Sequence, residues 1–294
     1  MVEIRYDTER CAKCGLCTVA CPHGILQQEM RGTVPTVHDI GSCMECGHCV
    51  AVCPKVAISH STYPEGSVMP TQPELAPSYE QVMELVHTRR SKRRFTDEPV
   101  TRSVIEQIIE AARHAPSEHN VQDTEFVVVQ DQETIDQIAQ ATLAYYRRLS
   151  GMLRNPIGRA MFRLMSGARE TEAVIEFLPE MEGVVSQYEA GNDYVLNRAP
   201  VLILACADSV GGFPAVNANL GLAQAMLAAE ALGMGTFYAG FVTRACGRGH
   251  DIARLVGLPD TNKVYGILAL GNPRVRYRRW PARNPARVTW IGEA

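Results

Sequence analysis

No stretch of the chain reaches the roughly 18 uncharged apolar residues that a membrane-spanning helix needs. The opening residues, MVEIRYDTER, lack the apolar run of a secretory signal. Both absences lead to the expectation of a cytoplasmic protein with no membrane partner. Charge of one sign is lacking too. With 29 Lys and Arg against 32 Asp and Glu, the net charge is -3, so nothing favours nucleic acid. A P-loop, a G-x-S-x-G elbow and an H-E-x-x-H pair are all missing. GMGTFYAG, residues 233–240, looks at first like a dinucleotide fingerprint. Its glycines follow a predicted helix and precede a predicted strand, the reverse of the order that fingerprint requires, so they are read as a helix stop and a tight turn.

Cysteine, by contrast, is concentrated. CAKCGLCTVACP (residues 11–22) and CMECGHCVAVCP (residues 43–54) are near copies of each other. Cys11, Cys14, Cys17 and Cys21 read C-x2-C-x2-C-x3-C-P, and Cys43, Cys46, Cys49 and Cys53 repeat it. This is the ligand spacing of a two-cluster bacterial ferredoxin, in which the fourth cysteine of each run serves the other cluster. The spacing therefore assigns Cys11, Cys14, Cys17 and Cys53 to one [4Fe–4S] cluster, and Cys43, Cys46, Cys49 and Cys21 to the second. Gly15 and Gly47 let the loops turn tightly. Structural zinc usually takes two separated pairs, and a disulfide framework needs an oxidising compartment. Both readings suit this spacing less well. His48, inside the second loop, is a candidate for a hydrogen bond to sulfur, though a solvent-exposed position is its ordinary reading. Cys206 and Cys246, in apolar or turn contexts, are read as buried, inert thiols.

With 294 residues, 46% of them hydrophobic, the chain has material for more than one core. Residues 1–60 form the ferredoxin-like module, each cysteine loop leading into a short helical turn. Residues 61–77, with Pro64, Pro70, Pro73 and Pro77, are read as an extended linker, and residues 78–294 as the second domain. There, residues 79–90 look helical. TRSVIEQIIEAARHA (101–115) is an amphipathic helix with Thr101 as cap and Val104, Ile105, Ile108, Ile109 and Ala112 on one face. EFVVVQD and PVLILACAD read as buried strands, with two or three helices between them over roughly residues 132–190. VNANLGLAQAMLAAEALG is a long helix ending at Gly233. GTFYAGF and VYGILALGN are read as short strands, and the tail from Pro273 as an extended arm.

Four stretches then stand in a telling order: RRSKRRF (89–95), APSEHNVQ (115–122), LGMGTFYAG (232–240) and the arginine- and proline-rich tail closing on Val288-x-Trp290. Taken singly they are a solvated basic face, a helix stop and two turns. Taken together over residues 79–290, they resemble the nitroreductase family of FMN enzymes, and the cysteine module ahead of them resembles a fused subgroup. The resemblance implies an α+β fold: a sandwich with a central, mostly antiparallel sheet flanked by helices. It implies that Arg89, Arg90, Ser91 and Arg93 hold the FMN phosphate and ribityl chain, chemistry suited to guanidinium forks and a hydroxyl. It further implies that Pro116, Ser117 and Asn120 meet the flavin of the partner subunit, that the backbone at Tyr238, Ala239 and Gly240 faces the flavin ring, and that Arg283 or Arg279 closes on the phosphate. A homodimer with FMN at the subunit interface follows from the same likeness. Asp123 and Thr124 depart from the family's Pro-Trp after the loop, Glu118 replaces a small residue, and Lys92 replaces an aliphatic, a change read as minor. His119, in the same loop, is a candidate proton donor, with water as the ordinary alternative.

The expected function is that of an FMN-dependent nitroreductase-like oxidoreductase. Electrons pass from a ferredoxin or flavodoxin, with NAD(P)H as a second donor, through two [4Fe–4S] clusters to FMN and on to a nitroaromatic, quinone or activated alkene. Two other readings are an electron-transfer adaptor serving a partner protein, marked by a flavin closed to small molecules, and a flavin-remodelling enzyme, at odds with oxygen-sensitive clusters. In residues 140–195, Tyr145 and Tyr146 are candidates to roof the substrate pocket. The ordinary reading there is a helical surface layer with a Met/Leu underside at MFRLM (161–165).

Overall fold

A computed structural model describes residues 2–292. Met1, Glu293 and Ala294, the outermost ends of the two expected domains, lie outside the described residues. The chain divides into two compact units. One comprises the residues up to Pro77 together with Ser117–Gln122, and the other comprises Ser78–Pro116 and the residues from Asp123 on.

The first unit carries the internal repeat into its backbone. Strand β1 (Ile4–Tyr6) precedes the first cysteine loop, which runs into helix α1 (Leu16–Ala20). A small antiparallel ladder, β2 (Leu26–Gln27) with β3 (Thr36–Val37), follows. The second loop runs into α2 (His48–Ala51), and β4 (Ile58–His60) returns to pair antiparallel with β1, Ile4 opposite His60. Gly15 and Gly47 sit at φ +74° and +72°, each opening its short helix, a backbone that favours glycine. A Cβ on Gly47 would come within 2.9 Å of the Tyr63 ring.

The second unit is built on a four-stranded, all-antiparallel sheet. Its strands, β5 (Glu125–Val129), β6 (Val201–Asp208), β7 (Gly235–Tyr238) and β8 (Asn262–Gly271), stand in the order β5-β6-β8-β7. Both faces are covered, which explains the continuous apolar runs. Leu202, Leu204, Ile267 and Ala269 join one core with Ile138 and Leu143 of α5 (Gln132–Arg154). Val201, Ile203, Leu268 and Leu270 join the opposite core with Ile105 and Ile108 of α4 (Arg102–Arg113) and with α9 (Pro214–Ala231). The fold is the expected α+β sandwich. β8, at ten residues, is longer than the short strand expected from VYGILALGN.

Other local features sharpen the sequence reading. Helix α3 (Tyr79–Thr88) starts in a capping box between Ser78 and Gln81. Thr101 is the N-cap of α4 but makes no side-chain capping bond. Four helices, not two or three, fill the segment between β5 and β6: α5, α6 (Pro156–Ser166), α7 (Ala168–Glu176) and α8 (Leu178–Glu189). The MFRLM stretch on α6 also faces opposite to expectation. Phe162 is buried, whereas Leu164 and Met165 are 88% and 81% exposed, so the Met/Leu side looks outward. Two short helices, α10 (Gly240–Cys246) and α11 (Asp251–Leu255), lie between β7 and β8.

Candidate functional site

The eight module cysteines fall into two groups of four. Cys11, Cys14, Cys17 and Cys53 line one cavity, and Cys21, Cys43, Cys46 and Cys49 line another. Cys21 and Cys53 stand just past α1 and α2, and each joins the first three cysteines of the other run. Among the described residues no three His, Cys, Asp or Glu side chains converge as they would on a single metal ion; the thiols stand around the two cavities. Burial pushes the Cys49 thiol up to about 11 and raises Cys17 and Cys43 as well. A buried thiolate needs a compensating cation, and an iron cluster ligated by four thiolates supplies one. The donor set fits that group.

Hydrogen bonds reach the sulfurs from outside the loops. The Ala57 N–H donates to Cys53 Sγ at 3.3 Å, and Tyr6 Oη lies 3.5 Å from Cys17 Sγ. His60 Nε2 lies 3.5 Å from Cys43 Sγ. His48, singled out in the sequence, is exposed and lines the second cavity with His23 and His60; the imidazole that hydrogen-bonds a module sulfur among the described residues is that of His60. Sequence reading missed His60 because only the pairing of β4 with β1 brings it to the loop.

In the second unit, a cavity of about 380 Å³ is lined by Arg93, Tyr146, Phe177, Phe237, Tyr238, Gly240, Phe241 and Arg244, with Tyr194 and Val195. This is within the size range of small-molecule and cofactor sites. Its wall is aromatic, with cations placed over rings: the Arg93 guanidinium lies 5.4 Å from the Phe237 centroid, and that of Arg244 lies 4.9 Å from Phe177. Tyr146 is 1% exposed, and its hydroxyl donates to the Phe241 carbonyl at 3.0 Å. It thereby ties α5 to α10. Among the described residues, its chain neighbours and own helix backbone apart, nothing lies within 4 Å of where a Cβ on Gly240 would stand, so the backbone there faces open space. Ala239 spends its N–H on the Ile267 carbonyl at 2.8 Å, so that donor belongs to the sheet. Tyr238 Oη donates to Asn219 Oδ1 at 2.9 Å.

Arg93, Tyr238 and Gly240 thus meet at one cavity. The remaining expected residues sit as follows. Ser91 bridges in parallel to Thr236 of β7, extending the edge of the sheet, and Arg89 and Arg90 are half-buried at the end of α3. Arg279 and Arg283 are exposed on the irregular arm, which is pinned where Trp280 stacks on His87 at 4.0 Å between centroids. Pro116 is exposed. Ser117 closes its own turn, its hydroxyl accepting from the Gln122 N–H at 3.0 Å. Asn120 donates to the Glu45 carbonyl at 2.8 Å, within the first unit. His119 is exposed at φ +48°. Asp123 accepts from Asn217 of α9 at 3.0 Å. Lys92 corrects a reading: it is buried and ion-paired with Glu230 at 2.7 Å, so its place is not minor.

Comparison with known proteins identifies the family of each part of the chain. The nitroreductase family profile matches residues 86–272, and a 4Fe-4S dicluster domain profile matches residues 3–54. An "FMN reductase [NAD(P)H]" of Bacillus subtilis is 31% identical over 202 residues, covering 68% of this chain and 69% of its own. In structure, a nitroreductase with bound FMN from Bacteroides fragilis gives a TM-score of 0.52 at 17% identity, covering 72% of this chain and 99% of its own. One from Desulfitobacterium hafniense, also with bound FMN, gives 0.50 at 20%, covering 71% and 97%. These two likenesses bear on the fold alone. The chain belongs to the nitroreductase family and is an oxidoreductase of that family carrying a 4Fe-4S dicluster domain at its N-terminal side.

Proposed function

We propose that the protein is an FMN enzyme that accepts electrons from a redox partner protein at two [4Fe–4S] clusters and passes them through FMN to an electrophilic small molecule such as a nitroaromatic, quinone or activated alkene. When bound, FMN supplies the chemistry that joins one-electron donors to two-electron reduction. The observation that carries the reading is the coexistence in one chain of two four-thiol cavities and an open, aromatic, arginine-bearing cavity.

The residues divide the work. Cys11, Cys14, Cys17 and Cys53 hold one cluster, and Cys21, Cys43, Cys46 and Cys49 the other. Cys14, the exposed thiol of the eight, marks the side on which a ferredoxin or flavodoxin docks. Arg93 fixes the flavin by charge, with Arg89, Arg90, Ser91, Arg279 and Arg283 directed to its phosphate and sugar chain. Gly240 leaves room for the ring and offers its N–H as the chain leaves β7. Phe177, Phe237 and Phe241 exclude water from one side. A second copy of the chain contributes Pro116, Ser117 and Asn120, so the working unit is a homodimer in a reducing, cytoplasmic setting. His119 stands as a proton donor in the same loop.

The open cavity favours a small-molecule acceptor over a pure electron-transfer adaptor. The Bacillus relative's name supports NAD(P)H as an additional donor. The test is anaerobic. Protein purified without oxygen should show an iron–sulfur absorbance shoulder together with releasable FMN. After reduction, a panel of nitroaromatics, quinones and enones should reoxidise it. A reduced protein that no acceptor reoxidises, though it transfers electrons to a protein partner, would favour the adaptor instead.

A further inference from the structure

We infer that His60 sets apart the two iron–sulfur sites: its Nε2–H donates to Cys43 Sγ, a side-chain donor for which the internal repeat has no counterpart at the other site. This rests on the reading that the eight cysteines hold clusters.

The proton can be located from the hydrogen bonds alone. The backbone N–H of Thr62 donates to His60 Nδ1 at 3.2 Å. A nitrogen that accepts a hydrogen bond carries a lone pair, so the ring is the neutral tautomer with its one proton on Nε2. That proton faces Cys43 Sγ, 3.5 Å from Nε2. The ring has little freedom to turn away. His60 is 3% exposed, ends β4 opposite Ile4, and meets the Tyr63 ring edge-on at 5.4 Å.

The repeat makes the asymmetry plain. The loops are related by a fixed offset, Cys11 to Cys43 and Gly15 to Gly47, and the same offset carries Gln28 to His60. Gln28, however, directs its amide nitrogen to the carbonyls of Lys13 at 3.0 Å and Thr33 at 2.6 Å. Both of its N–H groups are spent on the backbone, so it has none for sulfur. The side-chain contact at the first site comes from a different strand and a different chemistry, the Tyr6 hydroxyl on Cys17. Two loops with the same ligand spacing therefore present different donors to their sulfurs. A donor to a ligating thiolate stabilises the more negative, reduced state and raises the potential of the cluster it serves. His60 raises the potential of the Cys21/Cys43/Cys46/Cys49 site, and Tyr6 acts on the other.

The experiment uses the full-length chain purified without oxygen. In an EPR-monitored redox titration, His60→Phe should lower one of the two cluster potentials and leave the other in place. His60→Gln, which keeps an N–H, should restore most of the loss, and Tyr6→Phe should move only the second potential. A His60→Phe protein with full iron and sulfide but two unchanged potentials would overturn the inference. A second measurement labels the protein with 15N-histidine: one cluster signal and not the other should show imidazole hyperfine coupling, and His60→Phe should abolish it although His23 and His48 line the same cavity. Absence of that coupling from both signals would also overturn it. Failure of the underlying reading looks different, because the protein would then lack iron and acid-labile sulfide altogether.

Discussion

Asn120 donates its side-chain amide to the backbone carbonyl of Glu45 at 2.8 Å, joining residues 75 apart in sequence. Glu45 lies between Cys43 and Cys46 and holds a left-handed φ of +50°, a costly conformation for a residue with a side chain. Tyr63 Oη donates to the same carbonyl, and Thr62 donates its hydroxyl to the Glu45 carboxylate. This network explains why Ser117–Gln122, flanked on both sides by residues of the second unit, groups with the cysteine module.

The first prediction follows. Asn120→Leu removes one of the two donors to that carbonyl and should cost about 1 kcal/mol of local stability. Hydrogen exchange should quicken at residues 117–122 and around Glu45 while iron content stays at the wild-type level. Unchanged protection would mean that the bond does not hold the loop.

The buried ion pair gives a second. The side chains of Lys92 and Glu230 are 10% and 14% exposed. Lys92→Met leaves a carboxylate without its partner in a poorly solvated site, which should cost about 3–5 kcal/mol. Replacing Glu230 by Leu in the same protein should recover most of that loss. Urea unfolding of the single and double variants measures both, and a near-neutral single variant would contradict the pairing.

A third concerns pH. The Arg154 guanidinium grips Glu182 with two bonds of 2.6 Å, Ser150 adds a hydroxyl, and together they pull the carboxyl from 4.5 to about 2. Because the folded value lies below the unfolded one, this contribution is complete above the ordinary carboxylate value. It fades as pH falls from 4.5 toward about 2. Glu182→Gln should therefore melt below wild type at neutral pH, and the gap should close in acid. A gap independent of pH would rule out the ion pair as its source.

How far these features were legible in the sequence depends on how local they are. The grouping of the eight cysteines into two sets of four could be read because their fixed offsets are written along the chain. Strands β6 and β8 could be read because a strand covered on both faces is a plain apolar run. The segment from α5 to α8 gave the wrong helix count, since amphipathic helices joined by a residue or two leave no break in periodicity. Met161, Leu164 and Met165 suggested a buried side, yet the neighbouring Phe162 is what packs. Lys92 looked exchangeable because its partner, Glu230, lies 138 residues away on α9. His60 and the Phe177–Phe241 wall stayed hidden for the same reason: distant segments assemble them.

Gly240 offers a fourth prediction, aimed at the cavity. With open space where a Cβ would stand, Gly240→Leu should leave the unfolding free energy within about 0.5 kcal/mol of wild type. It should, however, fill the room assigned to the flavin. The variant should purify folded and loaded with iron, but without FMN, as read by the fluorescence of released flavin. Full FMN content would move the flavin away from this cavity.

Under the proposed function, electrons pass from the cysteine-bound clusters to the flavin. The most direct test of that transfer is anaerobic stopped-flow mixing with a reduced ferredoxin-type donor, recording the iron–sulfur and flavin bands together. Flavin reduction should follow cluster reduction in wild type and disappear when Cys43 and Cys46 are replaced by Ala. Flavin that stays oxidised beside reduced clusters, or that is reduced at the wild-type rate in the Cys43→Ala/Cys46→Ala variant, would contradict it.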